Sequence, residues 1–305
     1  IRVCREQMGC EILGFVNRGS KREVKPPFGA LSEICQVCGA CEFICPTGSM
    51  KVLKTGKKVP RPIPFEFNEG LISRPAVHIL YPQAVPNKAA IDAKYCVHML
   101  KDKCGICEAV CEAGAIDYEQ KEELLELKAG AVILAPGYEV FNAGLKGELG
   151  YGRYPNVVSS LEFERILSAS GPFLGKVLRP SDRQHPKNIA WIQCVGSREV
   201  DRNYCSSVCC MYATKEAIIA KEHEPGLDCH IFFVDLRAFG KGFDQYYERA
   251  REIGVKYTRC RPSSVKEVPS TKNLLVGYEA EDGALKTGEF DLVVLSSGLC
   301  PSSGV

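Results

Sequence analysis

Seventeen cysteines in 305 residues fall largely into three tight groups whose spacing is that of thiolate ligands. The first group is the run CQVCGACEFICP, which holds Cys35, Cys38, Cys41 and Cys45 and ends at Pro46. Two residues between successive cysteines let a tight loop aim three sulfurs at one small object, and the fourth cysteine serves the same cube or its neighbour. The proline stops the ligand loop from running on as a helix. Tetrahedral zinc is the plainer reading of paired cysteines, but four cysteines from 35 to 45 with a trailing proline fit it poorly. The run predicts a [4Fe–4S] cluster.

Cys4 stands upstream in IRVCREQMGC. As the last cysteine of a preceding run it could complete the cube of Cys35, Cys38 and Cys41, leaving Cys45 to serve another. Cys10 has no spacing partner and reads as a small buried hydrophobe. The second group, Cys96, Cys104, Cys107 and Cys111, is looser and has Glu112 in the proline position. It is either self-contained or trades fourth ligands with the first, pairing Cys35, Cys38 and Cys41 with Cys111, and Cys96, Cys104 and Cys107 with Cys45. Both pairings stay open, and Cys4 competes with Cys111.

The third group is Cys194, Cys205, Cys209 and Cys210, in CVGSREVDRNYCSSVCC. Cys194 ends a predicted strand and the CC pair sits in a predicted helix near its start. In a dinucleotide-binding fold that turn carries glycines that cradle a pyrophosphate at a helix N-terminus. Here Gly196 alone remains and thiols fill the turn, so a metal cluster replaces the nucleotide. The plainer alternatives are buried structural thiols or a vicinal disulfide. A positive helix end would favour thiolates.

These groups need elements to hold them. The stretch from 1 to 58 reads as a ferredoxin-like iron–sulfur segment, and 59 to 120 as a linker plus a second iron–sulfur segment. Prolines 60, 62, 64, 75, 82 and 86 forbid a long helix between Val59 and Asn87. From about 121 to 305 strands alternate with helices. NIAWIQC (188–194), HIFFVD (230–235) and VKYTRC (255–260) read as strands, and 205–222 and 243–254 as helices. Strands joined by single helices imply a parallel sheet with crossovers. AVILA (131–135) reads as a strand ending at Pro136 and Gly137, and NLLVGYEA and EFDLVVLSSG as strands of a small β segment returning to the sheet.

Composition narrows the function. A net charge of +2, with no lysine- or arginine-rich block, argues against nucleic acid. The longest apolar runs are of strand length, so no membrane span is expected. Large size and apolar segments argue against a secreted disulfide scaffold and for a reducing, cytoplasmic setting. The chain opens on Ile1, which reads as a piece of a longer protein. The five histidines show no HExxH or paired spacing, and no serine–histidine–aspartate set is visible. Gly240 and Gly242 precede a helix without a third glycine, a weak nucleotide signal, and Arg237 and Lys241 beside them suit a flavin phosphate or plain solvent.

From about Val59 to Val305 the chain resembles the A-type iron–sulfur subunits of the heterodisulfide reductases, in CVGSREVDRNYCSSVCCMYATKEA, DLRAFGKGFDQYYERAREIGVKYTR and PQAVPNKAAIDAKYC. The resemblance implies a thioredoxin-reductase-like three-layer α/β domain of the FAD/NAD(P) type, present in part, with ferredoxin-like α+β modules. It implies an unusual [4Fe–4S] site of CxnCxxxCC pattern on Cys194, Cys205, Cys209 and Cys210, three or four clusters in all, and flavin adenine dinucleotide (FAD). AVILAPGY would bring Ala135, Pro136 and Gly137 near the flavin, and PQAVPN would offer Pro82, Gln83, Ala84 and Val85. The family's early glycine-rich flavin fingerprint is missing from these residues. The first fifty residues instead resemble the ferredoxin-type region of the iron–sulfur subunits of NADH dehydrogenases and iron hydrogenases, which favours the Cys4 pairing.

The reading is an oxidoreductase subunit that relays electrons between FAD and several [4Fe–4S] clusters, within a family capable of flavin-based bifurcation. Its implied partners are other subunits of a redox complex, of heterodisulfide-reductase B/C, hydrogenase, formate dehydrogenase or NADH dehydrogenase type. The rivals are an iron–sulfur wire without flavin chemistry and a thiol–disulfide oxidoreductase using Cys209 and Cys210.

Overall fold

In the computed structural model the described residues are 1–7, 12–26, 41, 45, 63–280 and 282–303. Cys10, Cys35 and Cys38 lie outside them. The chain divides into two compact units, 1–129 and 130–305.

The first unit is built from short pieces. A π-helical turn over Val3–Gln7 carries buried Cys4, which packs with Ile12 and Leu13. Strands β1 (Gly14–Val16) and β2 (Glu23–Lys25) form one antiparallel hairpin, and β3 (Val77–Ile79) and β4 (Ala89–Ile91) another. Two short helices follow, α1 (Val97–Lys101) and α2 (Ile106–Ala109). The proline-rich stretch, where described, holds no long helix, as its prolines require. With few buried apolar side chains among its described residues, polar bonds hold these pieces in place. The side chain of Arg74 is 5% exposed and grips Glu66 through two bonds of 2.6 Å and Asp92 at 2.8 Å. The same guanidinium drives the Glu66 carboxyl far below its usual range, to about 2. The Asp92 carbonyl in turn accepts the Cys96 amide at 2.9 Å, so this lock sets where the second cysteine group begins.

The second unit is layered. Strand β5 (Tyr138–Val140) comes first, then β6 (Val157–Ser159), helix α3 (Ser160–Leu167) and β7 (Asn188–Val195). Helix α4 (Cys209–His223), β8 (Asp228–Phe233), α5 (Phe243–Glu252) and β9 (Lys256–Arg259) complete the alternation. The chain then makes β10 (Ser264–Glu267), β11 (Leu274–Glu279), β12 (Leu285–Phe290), β13 (Leu292–Ser297) and β14 (Leu299–Pro301). A five-stranded parallel sheet has the order β6-β13-β7-β8-β9, a three-stranded antiparallel sheet the order β10-β11-β12, and β5 pairs with β14.

Strand alternation assigns the layers. Along β7, Ala190 and Ile192 join Phe232, Leu274, Val276 and Phe290 in the core shared with the small sheet. Trp191 points the other way, its ring edge-on to Phe163 of α3 and its indole N–H donated to Glu216 of α4. The parallel sheet is therefore covered on both faces, which is why β7 and β13 read as unbroken apolar runs. Helix α4 is buried for most of its circumference because α3, α5 and the sheet all press on it.

Three expectations are corrected. AVILA forms no strand: residues 119–137 have no regular structure, and Val132, Ile133 and Leu134 are 77%, 92% and 84% exposed. A strand needs a neighbour for its N–H and C=O groups, and no described strand takes that place. EFDLVVLSSG is two strands: Phe290 ends β12 in the small sheet, and after Asp291 the chain crosses into the parallel sheet as its inner strand β13. The helix expected from Cys205 begins at Cys209, because Ser207 holds a left-handed φ of 64°.

Candidate metal centre

The loop between β7 and α4 gathers the third cysteine group. Cys194 closes β7 at φ 60°, Gly196 follows at 74° and Arg198 at 56°. Left-handed backbone at non-glycine residues costs about 1–2 kcal/mol each, so a run of it marks a loop shaped for something other than stability. Gly196 is obligatory there, since a Cβ would stand 2.1 Å from the Phe141 ring. Cys209 and Cys210 occupy the first turn of α4, whose N-cap, Val208, offers no side chain to the free amides. Those amides and the helix dipole give the thiols an electropositive base.

The four thiols feel one another: Cys209 interacts electrostatically with Cys194, Cys205 and Cys210, and Cys210 with Cys194 and Cys205. Burial pushes Cys209 and Cys210 up to about 11, and it raises Cys194 against the opposing pull of Arg198 and Arg261. At neutral pH the bare thiols are thus protonated, and binding a metal must displace their protons. Cys210 donates to Oε1 of Gln193 at 3.3 Å and to the Asp235 carbonyl at 3.4 Å. Tyr212 donates its hydroxyl to the Ser297 carbonyl at 2.8 Å and also meets the Cys209 thiol. The Ser207 amide points at the Cys205 sulfur at 3.4 Å, an N–H···S contact that suits a thiolate.

Among the described residues no three His, Cys, Asp or Glu side chains converge as ligands of a single ion. A tetrahedral zinc site needs all four sulfurs at about 2.3 Å from one centre. A [4Fe–4S] cube offers each sulfur its own iron corner and so holds four thiolates further apart. Four thiols that interact with one another, two of them on an uncapped helix end, are the donor set that a cube takes. Thiol–disulfide chemistry fits badly, because it needs an accessible thiolate of lowered pKa, whereas Cys209 and Cys210 are each 5% exposed and raised. No member of the group is in a disulfide.

The second group is partly assembled. Cys96 precedes α1, Cys104 stands between the helices and Cys107 lies in α2. Cys107 is raised by burial first, then by Cys104 and Cys96. Cys111 lies beyond α2, and its sulfur accepts the Ala115 amide at 3.3 Å. His98 stacks on Tyr118 at 3.8 Å and touches the Cys104 carbonyl, on one wall of a cleft of about 350 Å³. Cys41 and Cys45 are half-buried, and Cys4 is buried among apolar side chains.

The residues named for the flavin lie mostly at the surface. Pro82, Gln83 and Val85 are exposed and Ala84 half-buried. Ala135, Pro136, Gly137 and Lys241 are likewise exposed, the first three on the stretch without regular structure. Sequence reasoning also missed Gln193, Tyr212, Ser297 and Gly298, which line the thiol loop. Gly298 has a signal in hindsight, as a Cβ would stand 3.0 Å from both Ser197 and Ser206.

No family model matches the chain. Curated relatives do. The A-type iron–sulfur subunit of the CoB–CoM heterodisulfide reductase of Methanocaldococcus jannaschii is 43% identical over 292 residues, 94% of this chain and 42% of that protein. The chain is a homologue of the A-type heterodisulfide reductase subunits. A second such subunit, from Methanopyrus kandleri, is 44% identical over 297 residues. The A-type subunit of the ferredoxin/F420H2-dependent CoB–CoM heterodisulfide reductase of Methanosarcina acetivorans is 36% identical over 295 residues. The similarity to these heterodisulfide reductase subunits thus runs through both units, over 94% and 96% of the chain for the first and last of them. The chain spans about two fifths of the length of the first of these relatives. No helix among the described residues is long and apolar enough to cross a membrane.

Proposed function

We propose that this stretch is the iron–sulfur relay of an oxidoreductase subunit of the heterodisulfide reductase type, passing single electrons between clusters and on to partner subunits. The observation that carries the reading is the thiol loop before α4, where four cysteines interact and two of them sit on an uncapped helix end. Cys194, Cys205, Cys209 and Cys210 would hold one [4Fe–4S] cube, which supplies a one-electron couple. The protein's part is to bury the cube, aim amides at its sulfurs and fix four thiolates in place. The first-unit cysteines would hold further cubes. Cys96, Cys104 and Cys107 would be three ligands of one such cube, with Cys111 and Cys45 as the candidates for its fourth.

FAD and bifurcation belong to the full-length polypeptide in this proposal, with walls for the flavin supplied from outside these residues. The partner subunits are those of a redox complex, of hydrogenase, formate dehydrogenase or heterodisulfide-reductase B/C kind. The test is anaerobic iron and sulfide analysis with electron paramagnetic resonance (EPR). Replacing Cys194 and Cys209 by serine should remove one cube's worth of iron and one reduced-cluster signal. Unchanged iron and spectra would sink the assignment.

A further inference from the structure

Glu216 lies in α4 seven residues beyond Cys209, two helical turns and about 10 Å along the axis. Its side chain is fully buried. Oε2 accepts the Trp191 indole N–H at 2.8 Å, while Oε1 has no hydrogen-bond partner among the described residues. A buried acid facing no close cation is rare, and it stays neutral unless something compensates its charge.

What surrounds Glu216 points toward the thiol loop. From α3, the Ser160 hydroxyl stands beside both the Glu216 carboxyl and the Tyr212 hydroxyl. Tyr212 meets Cys209. Also from α3, one turn past Ser160, Glu164 pairs with Lys215 of α4 at a half-exposed position. From β7 only the Trp191 indole faces the acid. The other faces of α4 carry Tyr257, bonded to Thr214, Cys229, which meets the Ala217 carbonyl, and the Arg249–Glu222 pair. Glu164 and Lys215 are therefore the charges that act on Glu216, one repelling and one attracting.

We propose that Glu216 is the redox-linked acid of the third cysteine group: an electron entering the cluster is accompanied by one proton taken up at the Glu216 carboxylate. The inference rests on the reading of Cys194, Cys205, Cys209 and Cys210 as cluster ligands. The step balances as oxidised cluster, one electron, Glu216 carboxylate and one proton giving reduced cluster and Glu216 carboxylic acid. The electron comes from a neighbouring redox centre and the proton from solvent at the Glu164–Lys215 pair, by way of Ser160. Burial raises Glu216 well above its ordinary value, so the exchange belongs above the usual carboxylate range. At about 10 Å and an effective dielectric of about 20, one added electron raises the acid's proton affinity on the order of ten-fold. Linkage makes the effect reciprocal, and ionising Glu216 disfavours cluster reduction by the same factor.

The experiment is an EPR-monitored redox titration of the full-length holoprotein across neutral to alkaline pH, with Glu216→Gln beside it. The expected result is a midpoint potential that falls with rising pH in the wild type as Glu216 ionises, and stays level in the variant. Equal pH profiles in the two proteins, with the cluster signal present, overturn this inference alone. Absence of that signal from the wild type overturns the ligand reading as well. Infrared spectra of the iron-free proteins give a separate readout: a protonated-carboxyl band at neutral pH, lost in Glu216→Gln. A wild type without that band refutes the neutral acid even where the variant fails to fold.

Discussion

Cys209 and Cys210 are buried, yet their neighbours are oxygens and other sulfurs rather than methyl groups alone. In the iron-free protein this predicts an order of reactivity. Cys205, half-buried on the loop, should alkylate first at neutral pH, and Cys209 and Cys210 only slowly, their rates rising about ten-fold per pH unit toward about 11. Iron loading should protect all four, and peptide mass spectrometry reads both results. Equal labelling of the CC pair and Cys205 at neutral pH would contradict the buried geometry. The thiols themselves were legible from spacing, because ligand chemistry fixes how far apart cysteines sit along a loop. Gln193, Tyr212 and Ser297 were not, since each reaches the loop from a different strand or helix turn and none bears a spacing rule.

The elements that hold the loop are an inner strand and the helix it feeds. Helix α3 beside them starts with a capping box, in which Ser159 accepts the Glu162 amide at 3.2 Å and Glu162 accepts the Ser159 amide at 2.6 Å. Ser159→Ala should cost about 1 kcal/mol, as N-cap losses do. Gly196→Ala should cost more, about 2–4 kcal/mol, because it combines a left-handed φ with a clash against Phe141. Thermal unfolding of the two variants checks the order, and a Gly196→Ala protein as stable as wild type would refute the tight turn. The parallel strands and helices could be read from periodicity because both faces of the sheet are covered. The failures came where local pattern is silent about partners: 131–135 has the composition of a strand but no neighbour, and Asp291 divides one apolar run between two sheets.

At the scale of the molecule the two units differ in what holds them. The second has a continuous apolar core, whereas among the described residues of the first only Cys4, Ile12 and Val97 are buried and apolar. A unit so poor in core depends on cross-links, and in the proposed function those are its clusters. Iron chelation should therefore open residues 63–129 to limited proteolysis while 138–303 stays intact. Simultaneous digestion of both would contradict this. The strand order carries a further consequence. The Ser297 carbonyl that takes the Tyr212 hydroxyl and faces Cys209 belongs to β13, which inserts between β6 and β7 although it comes much later in the chain than both. During synthesis all four cysteines leave the ribosome before the wall of their site exists. In the proposed function, cofactor insertion on the nascent chain would meet an open, half-made sheet until that strand arrives.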